Sequence, residues 1–324
     1  MKPHWIVAGA LIGIVTCMDQ PTPAQAADVV EVANVGSISP ISWPYLIADR
    51  EGMFTAEGLD VRWLSVQSSA QLVQQLAAGS LNIAGSTALV DPIRAVQQGA
   101  AIGLLRLEGQ KAPFALVGKP AIKSIQDLKG KTIMIGGPKD ITRFYLSRMF
   151  IPNGLKDGDY DLVYAGATPA RFAALKSGAV DAVILFPPFN LFALAEGFSD
   201  LGGVVDYAPD LPFSGISVNR TWALANKSIV ERYLRAINRA IEFFNTDANR
   251  TRAVALMAES MKGKPEDLTK TYDYFRKIGF YAPTAQVSRT KLKEVINMMR
   301  EGGDLKGEFD VNKLFVPGLT LAVD

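Results

Sequence analysis

Apolar and polar positions along this chain of 324 residues change period several times, and the changes mark its elements. Val29 to Val35 and Leu59 to Val66 alternate or run apolar, as β-strands do. Between them, Pro44 is a residue favoured at the first helical position, and a helix is expected from there towards Glu51, ended by Gly52. Ser68 and Gln71 have the spacing of a capping box, so a helix from about Ala70 to Ala78 should follow and stop at Gly79. Leu81 to Gly85 then reads as a short third strand.

The same order returns further on. Thr132 to Ile135 is a predicted strand, Gly136 to Lys139 a turn, and Asp140 the cap of a helix with Pro152 beyond its end. Leu162 to Tyr164 is the next strand, Thr168-Pro169 opens a helix that Gly178 closes, and Val180 to Leu185 is a strand again. Ser69 and Thr168, both capping types, lie 99 positions apart, and so do Gly79 and Gly178. Two similar β-α-β units with mostly parallel sheets are therefore expected. After Ile216-Ser217-Val218 the pattern turns helical, over Ser228 to Asn245, Thr251 to Met261, Pro265 to Lys277 and Ser288 to Arg300. Such a run most simply packs back on the first unit. The chain would then cross between units twice, near Glu108–Pro113 and near Asp210–Gly215, which makes a hinge.

Composition enters first through the amino terminus. Lys2, an apolar stretch of 11 residues from Trp5 to Val15, and the small-residue site Ala24-Gln25-Ala26 are ordered as in a secretory signal peptide. The stretch is shorter than the roughly 20 residues that a membrane-spanning helix requires. Cleavage is expected after Ala26, with the protein exported to the periplasm. A lipoprotein cut before Cys17 is disfavoured by Thr16. Cleavage would remove Lys2 and Asp19 together, leaving the net charge at +2, which gives no sign of nucleic-acid binding. It would also remove the only cysteine, Cys17, and the only histidine, His4, and with them any thiol, disulfide, imidazole base or His/Cys metal site. The remaining 298 residues exceed one core and suit two domains of about 150 residues. The expected division is 1–26 signal peptide, 28–110 with 213–324 as lobe I, and 111–212 as lobe II.

Several stretches resemble the solute-binding proteins of taurine-, sulfonate- and nitrate-type ABC transporters, a family that also contains pyrimidine-precursor synthases. They are Trp43 to Ala48 with Gly52 to Val61, Ile122 to Ile133, Pro169-Ala170-Arg171 with Leu175 to Ala182, and Pro187-Pro188-Phe189. The similarity runs over essentially the whole chain after Ala26. It implies an α/β, two-lobed periplasmic-binding-protein-like fold with two interlobe crossings and a helical C-terminal region. It also implies capture of a small organic solute and its delivery to an ABC permease and its ATPase. A monomer with no cofactor and no catalysis is the expectation for this chain.

Ligands of open α/β sheets bind beyond the carboxyl ends of the strands, so the loops at those ends supply the candidates. In the first unit these are Ser37 and Ser39 with Trp43, then Ser68 and Ser69, then Ser86 and Thr87. Hydroxyls and free backbone N–H groups at a helix start suit an oxygen-rich or anionic group, although the serines can serve as caps alone. Trp43 can stack on a ligand or pack a core. The second unit offers Lys139, Asp140, Thr142, Thr168, Phe186 and Pro187. Sulfonate binders resemble Gly-Ser-Ala-Thr where Lys139 to Thr142 stand, so Asp140 favours an amine or hydroxyl over a bare sulfonate unless it is only a helix cap. Arg106, after Ile102 to Leu105, is a candidate for a bidentate carboxylate pair, its alternative being a pair with Glu108. Ser214 lies at the return crossing. Two alternatives stay open: an enzyme on the same fold, of the pyrimidine-precursor or menaquinone-pathway type, and a solute sensor without transport. The synthases' histidine and cysteine-rich motif are absent after residue 26.

Overall fold

The computed structural model describes Met1 and residues 26–324; the expected signal peptide and the alternative lipid site at Cys17 lie outside the described residues. The first unit is built from β1 (Asp28–Val35), α1 (Trp43–Arg50), α2 (Met53–Ala56), β2 (Leu59–Val66), α3 (Ser69–Ala78), β3 (Ile83–Ala88), α4 (Val90–Gln97) and β4 (Ile102–Gly109). The second contains β5 (Ala115–Gly118), β6 (Thr132–Ile135), α5 (Ile141–Phe150), β7 (Asp161–Tyr164), α6 (Thr168–Lys176), β8 (Ala182–Leu185), α7 (Phe189–Ala195), β9 (Ser199–Gly203) and α8 (Val204–Tyr207). The chain then returns as β10 (Ser214–Asn219) and continues through α9 (Arg220–Ala225), α10 (Lys227–Asn245), α11 (Arg250–Met261), α12 (Pro265–Ile278), β11 (Val287–Ser288), α13 (Arg289–Glu301) and β12 (Ala322–Val323).

Two five-stranded sheets result, ordered β2-β1-β3-β10-β4 and β7-β6-β8-β5-β9. They correspond position for position. In each, the three strands at one side are parallel, and the fourth runs antiparallel to both of its neighbours. That antiparallel strand is in each case the first one after a crossing: β5 after residues 110–114, β10 after 208–213. The helices α3 and α6 open 99 residues apart, as do β3 and β8, and Gly79 and Gly178 end the two helices with φ of 74° and 78°. A β-carbon is strained in that left-handed region, which is why glycine stops both helices.

Burial follows position in the sheet. The inner strands β3, β5, β8 and β10 are buried along their whole length and read mostly as apolar or small residues, and so is the edge strand β4, which is bridged by Phe315 and Tyr281 and carries Arg106 and Glu108 in an otherwise apolar run. The edge strands β2 and β7 keep polar residues such as Asp60, Arg62 and Asp161 towards solvent. Helix α10, 19 residues long, buries Val230, Tyr233, Leu234, Ile237, Ile241 and Phe244 at three- and four-residue spacing. That stripe packs against α1 and α2, so the carboxy-terminal helices cover the first sheet. No helix among the described residues is long and apolar enough to cross a membrane.

Candidate functional site

The two sheets meet at their strand ends. Leu89 N–H donates to the Phe213 carbonyl (3.3 Å), Phe213 N–H to the Gly109 carbonyl (2.8 Å) and Val204 N–H to the Phe114 carbonyl (2.8 Å), so both crossings are stitched to the ends of β3, β4, β5 and β9. Five phenylalanines fill the junction. Phe114 and Phe213 come from the crossings, Phe186 from the end of β8, and Phe275 and Phe280 from α12 and the turn after it. Phe114 lies 5.2 Å from both Phe186 and Phe213, Phe186 5.8 Å from Phe275, and Phe275 4.3 Å from Phe280, centroid to centroid. All five are buried.

On the side of the first sheet, the predicted Ser86 and Ser214 come together: the Ser86 hydroxyl donates to Ser214 Oγ at 2.9 Å. Asn34, at the end of β1, accepts from Ser86 N–H through its side-chain oxygen (3.0 Å). Glycine at position 85 leaves room for that side chain, since a β-carbon would stand 2.3 Å from Asn34 Oδ1 and displace it. Below the serines lies Glu108, fully buried, one oxygen accepting from Tyr45 Oη at 3.1 Å and the other unpartnered. Burial drives its carboxyl up to about 8, against the opposing pull of the Arg106 charge and the Tyr45 hydroxyl. Thr87 is fully buried, and its hydroxyl also lacks a partner. Ser68 is an exposed helix cap, accepting from Gln71 N–H at 3.2 Å, and Ser69 Oγ accepts from Ala88 N–H at 3.2 Å. Ser37 is exposed, and Ser39 makes no capping bond at the turn that follows it.

On the other side, Asp140 caps α5: one carboxylate oxygen accepts from Thr142 N–H at 2.9 Å and from the Thr142 hydroxyl at 2.5 Å. Thr142 Oγ1 in turn accepts from Gly136 N–H at 2.9 Å, so Asp140 and Thr142 are tied into one turn. Arg171 is buried on α6 and engages four oxygens, the carbonyls of Ile184, Ala165 and Gly166 at 2.7 to 2.9 Å and Thr168 Oγ1 at 2.9 Å. Desolvation lowers its guanidinium to about 10, opposed by the Asp140 charge. It thereby joins the ends of β7 and β8 to the start of α6. Pro187 is buried beside Phe186, in a cis bond to Pro188. Tyr145, one turn along α5 from Ile141, is fully buried with its ring 5.5 Å from Phe114 and its hydroxyl unpartnered. The side-chain oxygen of Asn190, at the start of α7, is likewise buried without a partner.

Two expected site residues lie elsewhere. Trp43 is fully buried inside the first unit, its indole N–H donating to the Ala253 carbonyl at 2.7 Å and its ring edge-on to Phe244 (5.3 Å), Tyr272 and Phe275. The carboxy-terminal helices close over α1 and make it a core residue. Arg106 is in the middle of β4, not leaving it, and donates to the side chain of Asn238 on α10 and to the carbonyls of Ala282 (2.9 Å) and Thr284 (3.1 Å). It holds helices onto the sheet. At the rim, Lys139 is exposed, and its carbonyl accepts from Arg94 at 3.1 Å. Arg94 also pairs with Asp91 (2.8 Å) and Asp304 (2.5 Å).

Sequence reasoning missed Asn34, Tyr145, Asn190 and the aromatic partners of Phe186, and it named Glu108 only as a partner for Arg106. Glu108 had a signal, being two residues from Arg106 and so on the same face of an apolar strand. Phe114 and Phe213 flank the crossings that the sequence had marked. Among the described residues, no cluster of three or more histidine, cysteine, aspartate or glutamate side chains is arranged to hold a metal ion.

The family model described as NMT1/THI5 like matches residues 39–249. No curated protein matches the sequence. Among solved structures the chain is similar to the periplasmic aliphatic sulphonate binding protein SsuA from Escherichia coli, at 19% identity and TM-score 0.73 over 90% of this chain and 98% of that one. It is similar to the alkanesulfonate-binding protein SsuA from Xanthomonas axonopodis pv. citri bound to MOPS, at 16% and 0.74 over 93% and 100%. A third is the periplasmic nitrate-binding protein NrtA from Synechocystis PCC 6803, at 14% and 0.64 over 76% and 70%. At such identities the likeness establishes the two-sheet periplasmic-binding-protein fold.

Proposed function

Because the chain belongs to the NMT1/THI5-like family, we propose that it is an exported, non-catalytic receptor that takes a small organic solute between its two units and hands it to an ABC permease and its ATPase. The observation that carries this reading is the junction: two topologically equivalent sheets whose strand ends meet, joined by two crossings, with buried polar atoms of Thr87, Tyr145 and Asn190 left without protein partners. Unsatisfied buried groups are rare in native proteins, and a solute between the units is a natural partner for them. The units move as lobes, 28–110 with 213–324 against 111–212, by hinging at residues 110–114 and 208–213. The candidate contacts are Ser86, Thr87 and Ser214 from one lobe and Tyr145, Phe186, Pro187 and Asn190 from the other. Asp140 and Thr142 shape the adjoining turn, while Ser37, Ser39, Ser68, Ser69 and Lys139 lie at the rim.

Names of the structural neighbours support the class. Three of them are binding proteins for sulfonates or nitrate. A non-catalytic role also fits a sequence with neither histidine nor cysteine after residue 26. Export and cleavage after Ala26 follow from the amino-terminal pattern, and intact mass of periplasmic material should give a chain starting at Ala27. An acylated Cys17 would contradict that. A thermal-shift screen over sulfonates, carboxylates, amines and nitrogen heterocycles tests the receptor reading itself. A solute at 100 times its dissociation constant adds about 2.7 kcal/mol of stability. A hit that is bound and recovered unchanged supports the reading, while its chemical turnover by the pure protein would replace a receptor with an enzyme.

A further inference from the structure

We propose that the solute of this cleft carries an uncharged aromatic ring with a polar, hydrogen-bonding substituent such as a carboxamide, and that Tyr145 is the residue that selects the substituent. The inference rests on the reading of the junction as the solute site. Its first support is the chemistry of the seam. Opening the lobes pulls Phe186 away from Phe275 (5.8 Å) and Phe280 (6.5 Å), exposing apolar ring faces on both sides. A solute that holds the lobes together has to cover those faces, and a flat ring can replace one phenylalanine ring against another. A small anion such as nitrate or taurine has no flat apolar face to lay against those rings, and it would bring its charge to a place where the cations are already engaged. Arg94 is held by Asp91 and Asp304, Arg171 by four protein oxygens, and Lys139 is at the solvent-exposed rim.

The second support is the pair of orphaned polar atoms on the second lobe. Tyr145 Oη is completely buried beside Phe114, and no protein atom accepts its proton. The side-chain oxygen of Asn190, four residues after Phe186, is buried and accepts nothing. One group offers a free donor and the other a free acceptor. A ring carboxamide carries the complement of each kind of atom, an oxygen for a free donor such as Tyr145 and an N–H for a free acceptor such as Asn190. Tyr145 is thus a specificity-determining residue whose hydroxyl does nothing for the fold itself.

Calorimetry on the purified protein with benzamide and nicotinamide, against taurine, ethanesulfonate and nitrate, tests this. The expected result is saturable one-to-one binding of at least one ring amide. Tyr145→Phe should weaken it at least tenfold while the melting temperature stays equal or rises, because the deleted hydroxyl has no protein partner to lose. Phe186→Ala should abolish it. Saturable binding of taurine, ethanesulfonate or nitrate without binding of the amides would overturn the ring class and leave the receptor reading intact. Unchanged amide affinity in Tyr145→Phe would remove that residue from the site. If none of the five compounds binds, the ring class is overturned, and the receptor reading is judged separately by the broader solute screen.

Discussion

Glu108 illustrates how a single buried charge couples pH to stability here. Its carboxyl titrates near 8 in the folded protein because burial disfavours the ionised form, whereas an unfolded chain titrates it near 4.3. The folded state therefore holds the proton more tightly, so this residue's contribution is fully present below about pH 4 and is lost as pH rises towards 8. Glu108→Gln mimics the protonated form and can still accept from Tyr45. Its melting temperature relative to the parent should rise between pH 5 and pH 8 and level off above that, by differential scanning calorimetry. A variant less stable than the parent by the same amount at every pH would mean that Glu108 is ionised and paired with Arg106. Trp43 shows the opposite lesson at this scale: its indole is satisfied inside the protein, so Trp43→Ala should cost about 3–5 kcal/mol by denaturant unfolding, as truncation of a large core residue does.

Among the elements, α5 has the start most dependent on a few atoms. Asp140 accepts from both the N–H and the hydroxyl of Thr142, and a β-carbon at Gly136 would lie 2.4 Å from that same carboxylate oxygen. Asp140→Ala should lower stability by about 1 kcal/mol, and Asp140→Asn by much less, because asparagine caps as well as aspartate. Equal losses in the two variants, measured by urea unfolding, would show that the charge rather than the cap matters. This position was legible before the fold was known, since a capping residue ahead of an apolar run is a local pattern. So were the ends of α3 and α6 at Gly79 and Gly178. The short helices α4 and α7 and the strand β9 were not anticipated; all three lie in segments that the sequence pattern left unassigned.

For the whole molecule, contacts between α13 and α5 join the two units outside the strand ends. Gly302, just after α13, faces Phe144 of α5 so closely that a β-carbon would stand 2.5 Å from the ring. Its φ is not in the left-handed region, so Gly302→Ala strains no backbone and acts only by pushing the lobes apart. X-ray scattering should report a larger radius of gyration for Gly302→Ala at unchanged far-ultraviolet circular dichroism. By contrast, Arg148→Ala removes a half-exposed pair with Glu301 at 2.9 Å across the same rim and should leave the radius unchanged, since such pairs contribute roughly 0–1 kcal/mol. An unaltered radius in Gly302→Ala would show that Phe144 yields without moving α5.

Sequence alone determined what depends on neighbours along the chain. Periodicity placed β1, β2, β6 and the four long carboxy-terminal helices, glycines and caps marked their ends, and the spacing between Ser69 and Thr168 announced two equivalent units. It also marked both crossings, because a change from α/β to helical pattern has to be accommodated somewhere. What it could not decide was which way a side chain faces once distant segments close over it. Trp43 could stack on a ligand or pack a core until α11 and α12 covered it, and Arg106 could meet a ligand carboxylate or pair with Glu108 until Asn238 and the Ala282–Thr284 turn met it. The aromatic junction gathers residues 114, 186, 213, 275 and 280, separated too widely for any local pattern to connect. Burial and hydrogen-bond satisfaction are properties of the closed three-dimensional contact set, and only the tertiary structure assembles it.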